Sequence, residues 1–224
     1  MTTILTAQNI AKTYNHRDGI VYALKDISFS INKGDFVSIT GPSGSGKTTL
    51  LLALSGLIRP SSGEILFENQ SLDHISDKKL AEFRKKHVGF VMQNFSLIPY
   101  MTAIQNVMIP LGLKGNTSLE QKALSSSVLE LVGLDNRKNH YPRELSAGQQ
   151  QRVAIARALV NKPTIIFADE PTGNLDPSLS NEILEFLQKI NKEQNITIMM
   201  VTHSPQAANF GNVKINLIEG RIAN

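Results

Sequence analysis

The sequence predicts an α/β protein with a mostly parallel sheet core, an N-terminal antiparallel β-subdomain and an inserted α-helical subdomain. Apolar and polar residues alternate over 4–10 and 22–31, as they do in half-buried antiparallel strands. Short apolar strands alternate with amphipathic helices in the C-terminal half, which is typical of a parallel sheet. Helical patterns dominate residues 77–133, so we expect a helical subdomain at about 77–160 within a single domain over 1–224.

The remaining elements follow from the same patterns and from turn residues. Residues 32–35 read as a turn, and Glu219-Gly220 indicates a hairpin. Further strands are predicted at 36–40, 63–68, 88–92, 164–168, 196–202, 213–218 and 221–222. Helices are predicted at 47–57, 77–86, 103–108, 119–132, 149–160 and 178–192.

Composition excludes several kinds of chemistry. The 224 residues include 23 Lys and Arg, 19 Asp and Glu, and no Cys. A chain without Cys has no disulfide framework, no cysteine-ligated zinc and no thiolate nucleophile. The net charge of +4 is too small to argue by itself for nucleic acid binding. No apolar run approaches the ~20 residues that a bilayer requires, so a membrane role would come through a partner.

The strongest local signal is a glycine-rich loop between a predicted buried strand and a predicted helix. Residues 41–48 match the P-loop pattern G-x-x-x-x-G-K-[ST], so the core is expected to be that of a P-loop NTPase. Glycines let backbone N–H groups turn toward a phosphate, and the helix start favours negative charge. Lys47 would pair with the β- and γ-phosphates, and the Thr48 hydroxyl would ligate Mg²⁺. The alternative is an ordinary Gly- and Ser-rich turn. The candidate phosphate-binding residues are Gly41, Pro42, Ser43, Gly44, Ser45, Gly46, Lys47 and Thr48.

Two adjacent carboxylates end a later apolar strand. Asp169 and Glu170 follow residues 165–168, and the carboxyl ends of parallel strands are where such sheets bind ligands. Asp169 is therefore a candidate for the Mg²⁺ shell. Glu170 points elsewhere and could orient and deprotonate an attacking water. The alternative is a pair of solvated acids in a loop.

A second anion-binding helix start is predicted at residues 145–149. Ser146 and the Gly148 backbone precede the helix predicted at 149–160. The chain thus has two phosphate-seeking helix starts but one P-loop, which a two-fold dimer with shared nucleotide sites would explain. The alternative is that Ser146 is only an N-cap.

Taken together, these motifs resemble those of the ATP-binding-cassette (ABC) transporter ATPases, and the resemblance covers essentially the whole chain. Residues 145–149 resemble the family's signature motif, and Ala147 departs from it because the family usually has Gly there. The resemblance assigns adenine stacking to Tyr14 and catalysis to Lys47, Glu170 and His203, and it matches Gly173–Asp176 to the family's D-loop. It assigns nucleotide binding to Gly41–Thr49, which includes Thr49, and to Ser146, Gly148 and Gln149. It assigns Mg²⁺ contact to Thr48, Gln93 and Asp169. Blander alternatives are a strand aromatic for Tyr14, a loop amide for Gln93, a strand-end histidine for His203 and a helix N-cap for Asp176.

Within this family, residues 83–93, 104–110, 144–157 and 170–176 look like the branch of lipoprotein-release and macrolide-export ATPases. The resemblance implies hydrolysis of ATP with Mg²⁺, a second nucleotide-binding subunit, a membrane-spanning permease partner and no nucleic acid. It also implies a peripheral position on the cytoplasmic face of the cell membrane. ATPases of peptide-antibiotic resistance systems are an alternative, and a nucleic-acid ABC ATPase or a small-molecule P-loop kinase is a more distant one.

The same resemblance suggests where the permease docks. The stretch around residues 93–110 would receive a coupling helix, because residues 95–101 are rich in apolar groups for a loop. The alternative is that these residues pack inside the helical subdomain.

Overall fold

The computed structural model describes residues 2–16 and 19–223. The strands are β1 (Thr3–His16), β2 (Gly19–Asn32), β3 (Phe36–Thr40), β4 (Ser62–Phe67), β5 (Gln70–Ser71), β6 (Val88–Met92), β7 (Ile165–Asp169), β8 (Thr197–Val201), β9 (Val213–Ile218) and β10 (Arg221–Ala223). The helices are α1 (Lys47–Leu54), α2 (Asp77–His87), α3 (Ala103–Lys114), α4 (Ser118–Leu131), α5 (Ala147–Leu159), α6 (Pro177–Gln194) and α7 (Pro205–Ala208).

The N-terminal part is a four-stranded antiparallel sheet. Its order is β2-β1-β4-β5. The first two strands extend beyond the predicted 4–10 and 22–31, because their backbones stay paired from Lys12↔Leu24 out to His16↔Gly19. The first four residues of β2 are exposed, so this outer part of the hairpin carries no alternating pattern that the sequence could have revealed.

The centre of the molecule is a six-stranded sheet in the order β10-β9-β3-β8-β7-β6. Only the β9–β10 hairpin within it is antiparallel among the described pairs, and the other neighbours are parallel. Every residue of β8 is buried, as its apolar run predicts. The predicted fold class is therefore confirmed.

Side chains of the central sheet fill two cores, one on each face. Phe167 packs with Leu50 of α1 and with the antiparallel sheet, whereas its neighbour Ile166 packs with Leu187 of α6. The C-terminal ends of β3, β7 and β8 lie in register, since Ile39 and Asp169 both pair with Val201. The three loops that follow these strands therefore meet at one edge of the sheet.

The helices α3, α4 and α5 enclose a third core. Helix α3 runs to Lys114, past the predicted end at residue 108 and through Pro110, and it ends at Gly115 with φ of 87°. Buried Val107 and Leu111 flank the proline, so packing outweighs its missing N–H donor. Strand β6 lies at the edge of the central sheet beside β7, so the chain between 77 and 160 also contributes to the parallel core. The extent of a helical subdomain stays a prediction.

No helix in the described part of the chain is long and apolar enough to cross a membrane.

Candidate nucleotide-binding site

The glycine-rich loop lies between β3 and α1, at the edge where the central strands end. A Cβ on Gly41 would lie 2.0 Å from the Leu217 carbonyl oxygen, and one on Gly46 would lie 2.3 Å from that of Ala23. Only glycine therefore fits at these two positions, and both have positive φ. Gly46 caps α1 without a side-chain hydrogen bond, so no side chain occupies the N–H groups of the first turn. This leaves an anion-binding helix start.

The Lys47 side chain turns back over this loop. Its Nζ donates to the carbonyl oxygens of Gly41 at 3.0 Å and Pro42 at 2.8 Å, and the residue is 8% exposed. In the described part of the chain both hydrogen-bond partners of this buried ammonium are neutral carbonyls, so it is well placed to exchange one of them for a phosphate oxygen.

Thr48 and Asp169 form the second part of the site. The Thr48 hydroxyl donates to Asp169 Oδ1 at 3.1 Å, joining the start of α1 to the end of β7. Burial raises the pKa of the Asp169 carboxyl, and the hydrogen bond from Thr48 partly opposes this shift. A hydroxyl and a carboxylate are oxygen ligands of the kind that Mg²⁺ prefers. Within residues 2–16 and 19–223, no group of three or more His, Cys, Asp or Glu side chains is placed to hold a metal.

Glu170 faces a different partner from its neighbour Asp169. Its backbone has φ of 48°, and its N–H donates to the Val201 carbonyl at 3.0 Å. The left-handed conformation turns the Glu170 carboxylate toward His203, whose Nδ1 contacts Glu170 Oε2. The Glu170 side chain is 19% exposed and that of His203 is 67% exposed. Both line an open cavity of about 210 Å³ at the edge of the sheet.

Gln93 follows β6, and its side chain extends toward the region of the Glu170 carboxylate. A Cβ built on Gly173 would lie 3.0 Å from Gln93 Nε2 and 3.4 Å from Glu170 Oε2. The Gln93 amide and the Glu170 carboxylate therefore both border Gly173. Contact of Gln93 with Mg²⁺ stays a prediction.

Tyr14 lies on β1, opposite Val21 of β2. Its ring is half-exposed, and Lys12 Nζ lies 5.3 Å from the ring centre. Because the Ala23 carbonyl abuts Gly46, the hairpin that carries Tyr14 borders the phosphate-binding loop. Stacking of Tyr14 on adenine stays a prediction.

The second predicted anion-binding helix start, at the beginning of α5, is capped by its own side chains. The Gln149 N–H donates to Ser146 Oγ at 3.3 Å, and the Ser146 N–H donates to Gln149 Oε1 at 3.1 Å, which forms a capping box. The N-cap role of Ser146 is therefore present, and its phosphate role stays a prediction. Gly148 is wedged against Leu179, whereas Ala147 is exposed. Asp176 likewise caps α6, accepting from the backbone N–H groups of residues 178 and 179.

Two polar residues that the sequence reasoning missed contact the loop that follows β6. Arg157 of α5 donates to the carbonyls of Phe95 and Ser96, and Asn174 donates to that of Gln93. Both residues lie in stretches that carry the family resemblance, but the sequence predicted no role for either side chain, because each donates to backbone atoms.

Comparison with known proteins identifies the class. A family model described as ABC transporter matches residues 24–173. The ABC transporter ATP-binding protein YtrE of Bacillus subtilis is 47% identical, covering 91% of this chain and 88% of that protein. The lipoprotein-releasing system ATP-binding protein LolD of Francisella tularensis is 44% identical, covering 98% and 95%. A dimeric post-hydrolysis structure of the cassette MJ0796 from Methanocaldococcus jannaschii, bound to ADP and Pi, matches with a TM-score of 0.92 at 41% identity and covers 99% of this chain and 97% of that one.

The chain therefore belongs to the ABC transporter family. It is an ATP-binding cassette, and its activity is the hydrolysis of ATP coupled to transport. The predicted resemblance to the lipoprotein-release and macrolide-export branch is confirmed, as is the predicted role of a transporter subunit that pairs with a second cassette and a permease.

Proposed function

We propose that two copies of this chain bind two ATP molecules between them, each held by residues 41–49 of one copy and 146–149 of the other. One observation carries this proposal. Lys47, Asp169 and Glu170 lie at one sheet edge within a chain, but no hydrogen bond of residues 146–149, among the described residues, reaches that edge. A two-fold partner supplies the missing half of each pocket.

Within one copy, different residues bind different parts of the ATP molecule. Tyr14 stacks on the adenine ring, and the N–H groups of the loop 41–49 surround the phosphates. Lys47 neutralises charge on the β- and γ-phosphates, and this charge stabilisation is the largest catalytic contribution expected in phosphoryl transfer.

Mg²⁺ fits the oxygen donors that the chain presents beside this loop. Thr48 and Asp169 would hold it, and the small number of protein ligands suits an ion that keeps water and phosphate oxygens around it. When bound, Mg²⁺ withdraws charge from the β- and γ-phosphate oxygens.

Hydrolysis requires a base beside the γ-phosphate. Glu170 accepts a proton from water as the water oxygen bonds to the γ-phosphorus, and the bond to the bridging β–γ oxygen breaks, so ADP leaves with its electron pair. His203 is already in contact with Glu170 and keeps that carboxylate oriented.

The permease docks on the loop and helix that follow β6. The sequence left two alternatives for residues 95–101, docking of the permease or packing inside the helical subdomain. Part of the segment fits each alternative, because Leu97 packs into the helical core whereas Tyr100 is 76% exposed. Next to this segment lies a groove of about 320 Å³, whose lining is mostly apolar, with Phe90, Met92 and Pro110 among its residues, and also includes Arg157 and Asn161. An exposed apolar groove of this kind suits a helix of a membrane partner.

The partner places this cassette on the cytoplasmic face of the membrane, where ATP is available. Similarity to LolD favours a complex that moves a lipoprotein, macrolide or peptide-like substrate by closing and reopening the cassette dimer. Mild-detergent purification of the chain with its membrane complex would identify the permease, and an importer permease would contradict this assignment.

The shared pocket is tested by the dependence of hydrolysis on chain concentration. We expect the rate per chain to rise with concentration, because each pocket needs a second copy. Ser146→Arg should abolish this rise without weakening ATP binding by the isolated chain. Thr117→Arg removes the same kind of capping box from α4 and serves as the matched control. A rate per chain that does not depend on concentration would contradict the shared pocket.

Docking is tested in the purified complex. Tyr100→Ala should reduce stimulation of hydrolysis by the permease, while Ile218→Ala, which truncates an exposed apolar residue of β9, should not. Equal stimulation in both variants would place the docking surface elsewhere.

A further inference from the structure

The segment Gln93–Ser96 follows β6 and is held by side chains from two other parts of the chain. Asn174 Nδ2 donates to the Gln93 carbonyl at 3.0 Å and to Asn94 Oδ1 at 3.2 Å. Arg157 donates through Nη2 to the Phe95 carbonyl at 2.8 Å and through Nη1 to the Ser96 carbonyl at 2.6 Å. Three of the four carbonyls of this short segment therefore accept side-chain hydrogen bonds.

The backbone of this segment needs that support. Phe95 and Ser96 have φ of 55° and 49°, so two successive residues with side chains adopt the left-handed conformation. Such conformations persist when the surrounding structure fixes them. The bidentate contact from Arg157 falls on the carbonyls of these two residues.

Arg157 is an unusual donor for such a role because it is a half-buried cation. Burial lowers the pKa of its guanidinium group, although the group stays charged at neutral pH. Among the described ion pairs none includes Arg157, whereas Arg152, on the same helix, pairs with Glu182. The Arg157 side chain thus gives its donors to loop carbonyls rather than to a carboxylate.

The position of the segment decides where the Gln93 side chain lies. Gln93 Nε2 and Glu170 Oε2 both lie within 3.4 Å of a Cβ built on Gly173, and Asn174 is the next residue. Arg157 lies on the helix that begins at the signature turn, and Asn174 lies in the loop 173–176. Arg157 therefore belongs to the helix whose start lies at the proposed dimer interface, and the segment that both donors hold leads into the proposed permease-docking surface.

We propose that Arg157 and Asn174 are positioning residues: they hold the segment Gln93–Ser96 so that the Gln93 side chain stays near Glu170 and the segment keeps its place beside the proposed docking surface. This inference rests on the proposed function of Glu170 and of the docking surface. Among the hydrogen bonds of the described residues, none joins Arg157 or Asn174 to the phosphate-binding loop, so we expect ATP binding itself not to depend on them.

The test compares Arg157→Met with Arg152→Met. Both variants keep an aliphatic stem, and Arg152 contacts the Val132 carbonyl and Glu182 instead of the segment. Because a small misplacement of a catalytic group is costly, we expect kcat of Arg157→Met to fall roughly 10-fold to 100-fold. The KM for ATP should stay within about twofold of that of the unmodified chain, because the substitution does not change contacts that bind the substrate and the transition state equally. Arg157→Lys, which keeps one charged donor, should recover part of kcat, and Arg152→Met should match the unmodified chain.

Asn174→Ala gives a second and milder variant in case Arg157→Met does not fold. We expect it to lower kcat and to weaken stimulation of hydrolysis by the permease in the purified complex. Combined with Arg157→Met it should be non-additive, because both residues act on one segment.

Unchanged kcat and unchanged permease stimulation in Arg157→Met and Asn174→Ala would overturn the inference, as would a rise in KM with no fall in kcat. Lys47→Ala and Glu170→Gln, measured in the same assays, separate this outcome from failure of the proposed function. If those two variants lose ATP binding and hydrolysis respectively while Arg157→Met does not lose kcat, only the positioning role is wrong.

Discussion

The helix starts of α1 and α5 are both candidates for phosphate binding, and the structure builds them in opposite ways. Helix α1 begins at Gly46, with φ of 99° and no side-chain cap. Helix α5 begins at Ser146, whose side chain closes a capping box with Gln149. The first helix start is open and lies beside Lys47, Thr48 and Asp169, whereas the second is internally satisfied and stands apart from them. We therefore propose that α1 binds phosphate within its own chain, whereas the role proposed for the start of α5 is to complete the pocket of a second copy.

The largest expected effect comes from Glu170→Gln, which keeps the shape of the site beside α1 but removes its proposed base. We expect kcat to fall by about 10²–10⁴-fold, the usual contribution of general-base catalysis. ATP affinity should be retained, because Glu170 contacts His203 and not the phosphate-binding loop. Steady-state hydrolysis and equilibrium ATP binding measure the two effects. Undiminished turnover would remove Glu170 from the mechanism.

Lys47→Ala tests whether the open helix start needs its buried cation. Loss of charge-assisted hydrogen bonds should weaken ATP binding by about 10-fold to 100-fold, because each is worth ~1.5–3 kcal/mol. Lys192→Ala, at the exposed end of α6, is the matched control. Calorimetry of ATP binding distinguishes them, and equal affinities in the two variants would show that residues 41–48 are not the phosphate-binding loop.

Two single substitutions test why glycine occupies position 148 at the start of α5. A Cβ at residue 148 would lie 2.4 Å from Leu179 Cδ2, so Gly148→Ala should destabilise the fold by about 1–3 kcal/mol. Ala147 is exposed, so Ala147→Gly should cost at most ~1 kcal/mol through helix propensity. Denaturant unfolding of both variants measures the difference. If Gly148→Ala were the milder change, the packing explanation for glycine at this position would be wrong.

The smallest effect concerns the charge of Asp169. Burial raises its pKa, so the folded chain binds this proton more tightly than the unfolded chain does. The charged form is therefore penalised in the folded state, and this penalty appears as pH rises through the raised pKa. Without Mg²⁺, Asp169→Asn should be slightly more stable than the unmodified chain at pH 7. The gap should close as pH falls toward the ordinary aspartate value of about 3.9.

Unfolding curves at several pH values measure that gap. Addition of Mg²⁺ with ATP should reverse its sign, because only the carboxylate provides a strong ligand. A gap that does not change with pH would mean that ionisation of Asp169 carries no penalty.

Much of the fold was predictable because its strongest signals are local. The strands β3, β7 and β8 are short apolar runs between turn residues, and the loop 41–48 follows one of them. The sequence did not reveal the outer part of the β1–β2 hairpin, since backbone pairing rather than a buried face extends it. It also gave the wrong end for α3, because burial of Val107 and Leu111 outweighs Pro110.

The candidate site likewise contains residues that the sequence could predict and residues that it could not. Residues that bind phosphate or act as acids carry recognisable chemistry, and the structure gathers Lys47, Thr48, Asp169, Glu170 and His203 at one sheet edge. Arg157 and Asn174 were missed because their hydrogen bonds go to backbone carbonyls, which every residue has. Contacts of this kind can be found only after the chain has been folded.

The most direct test of the shared pocket is the mass of the Glu170→Gln chain in solution with saturating ATP and Mg²⁺, measured by light scattering. The account predicts a dimer for Glu170→Gln and for its combination with Thr117→Arg, and a monomer for its combination with Ser146→Arg. A dimer that forms equally well with Ser146→Arg, or no dimer at all in Glu170→Gln, would contradict a nucleotide pocket completed by the second copy.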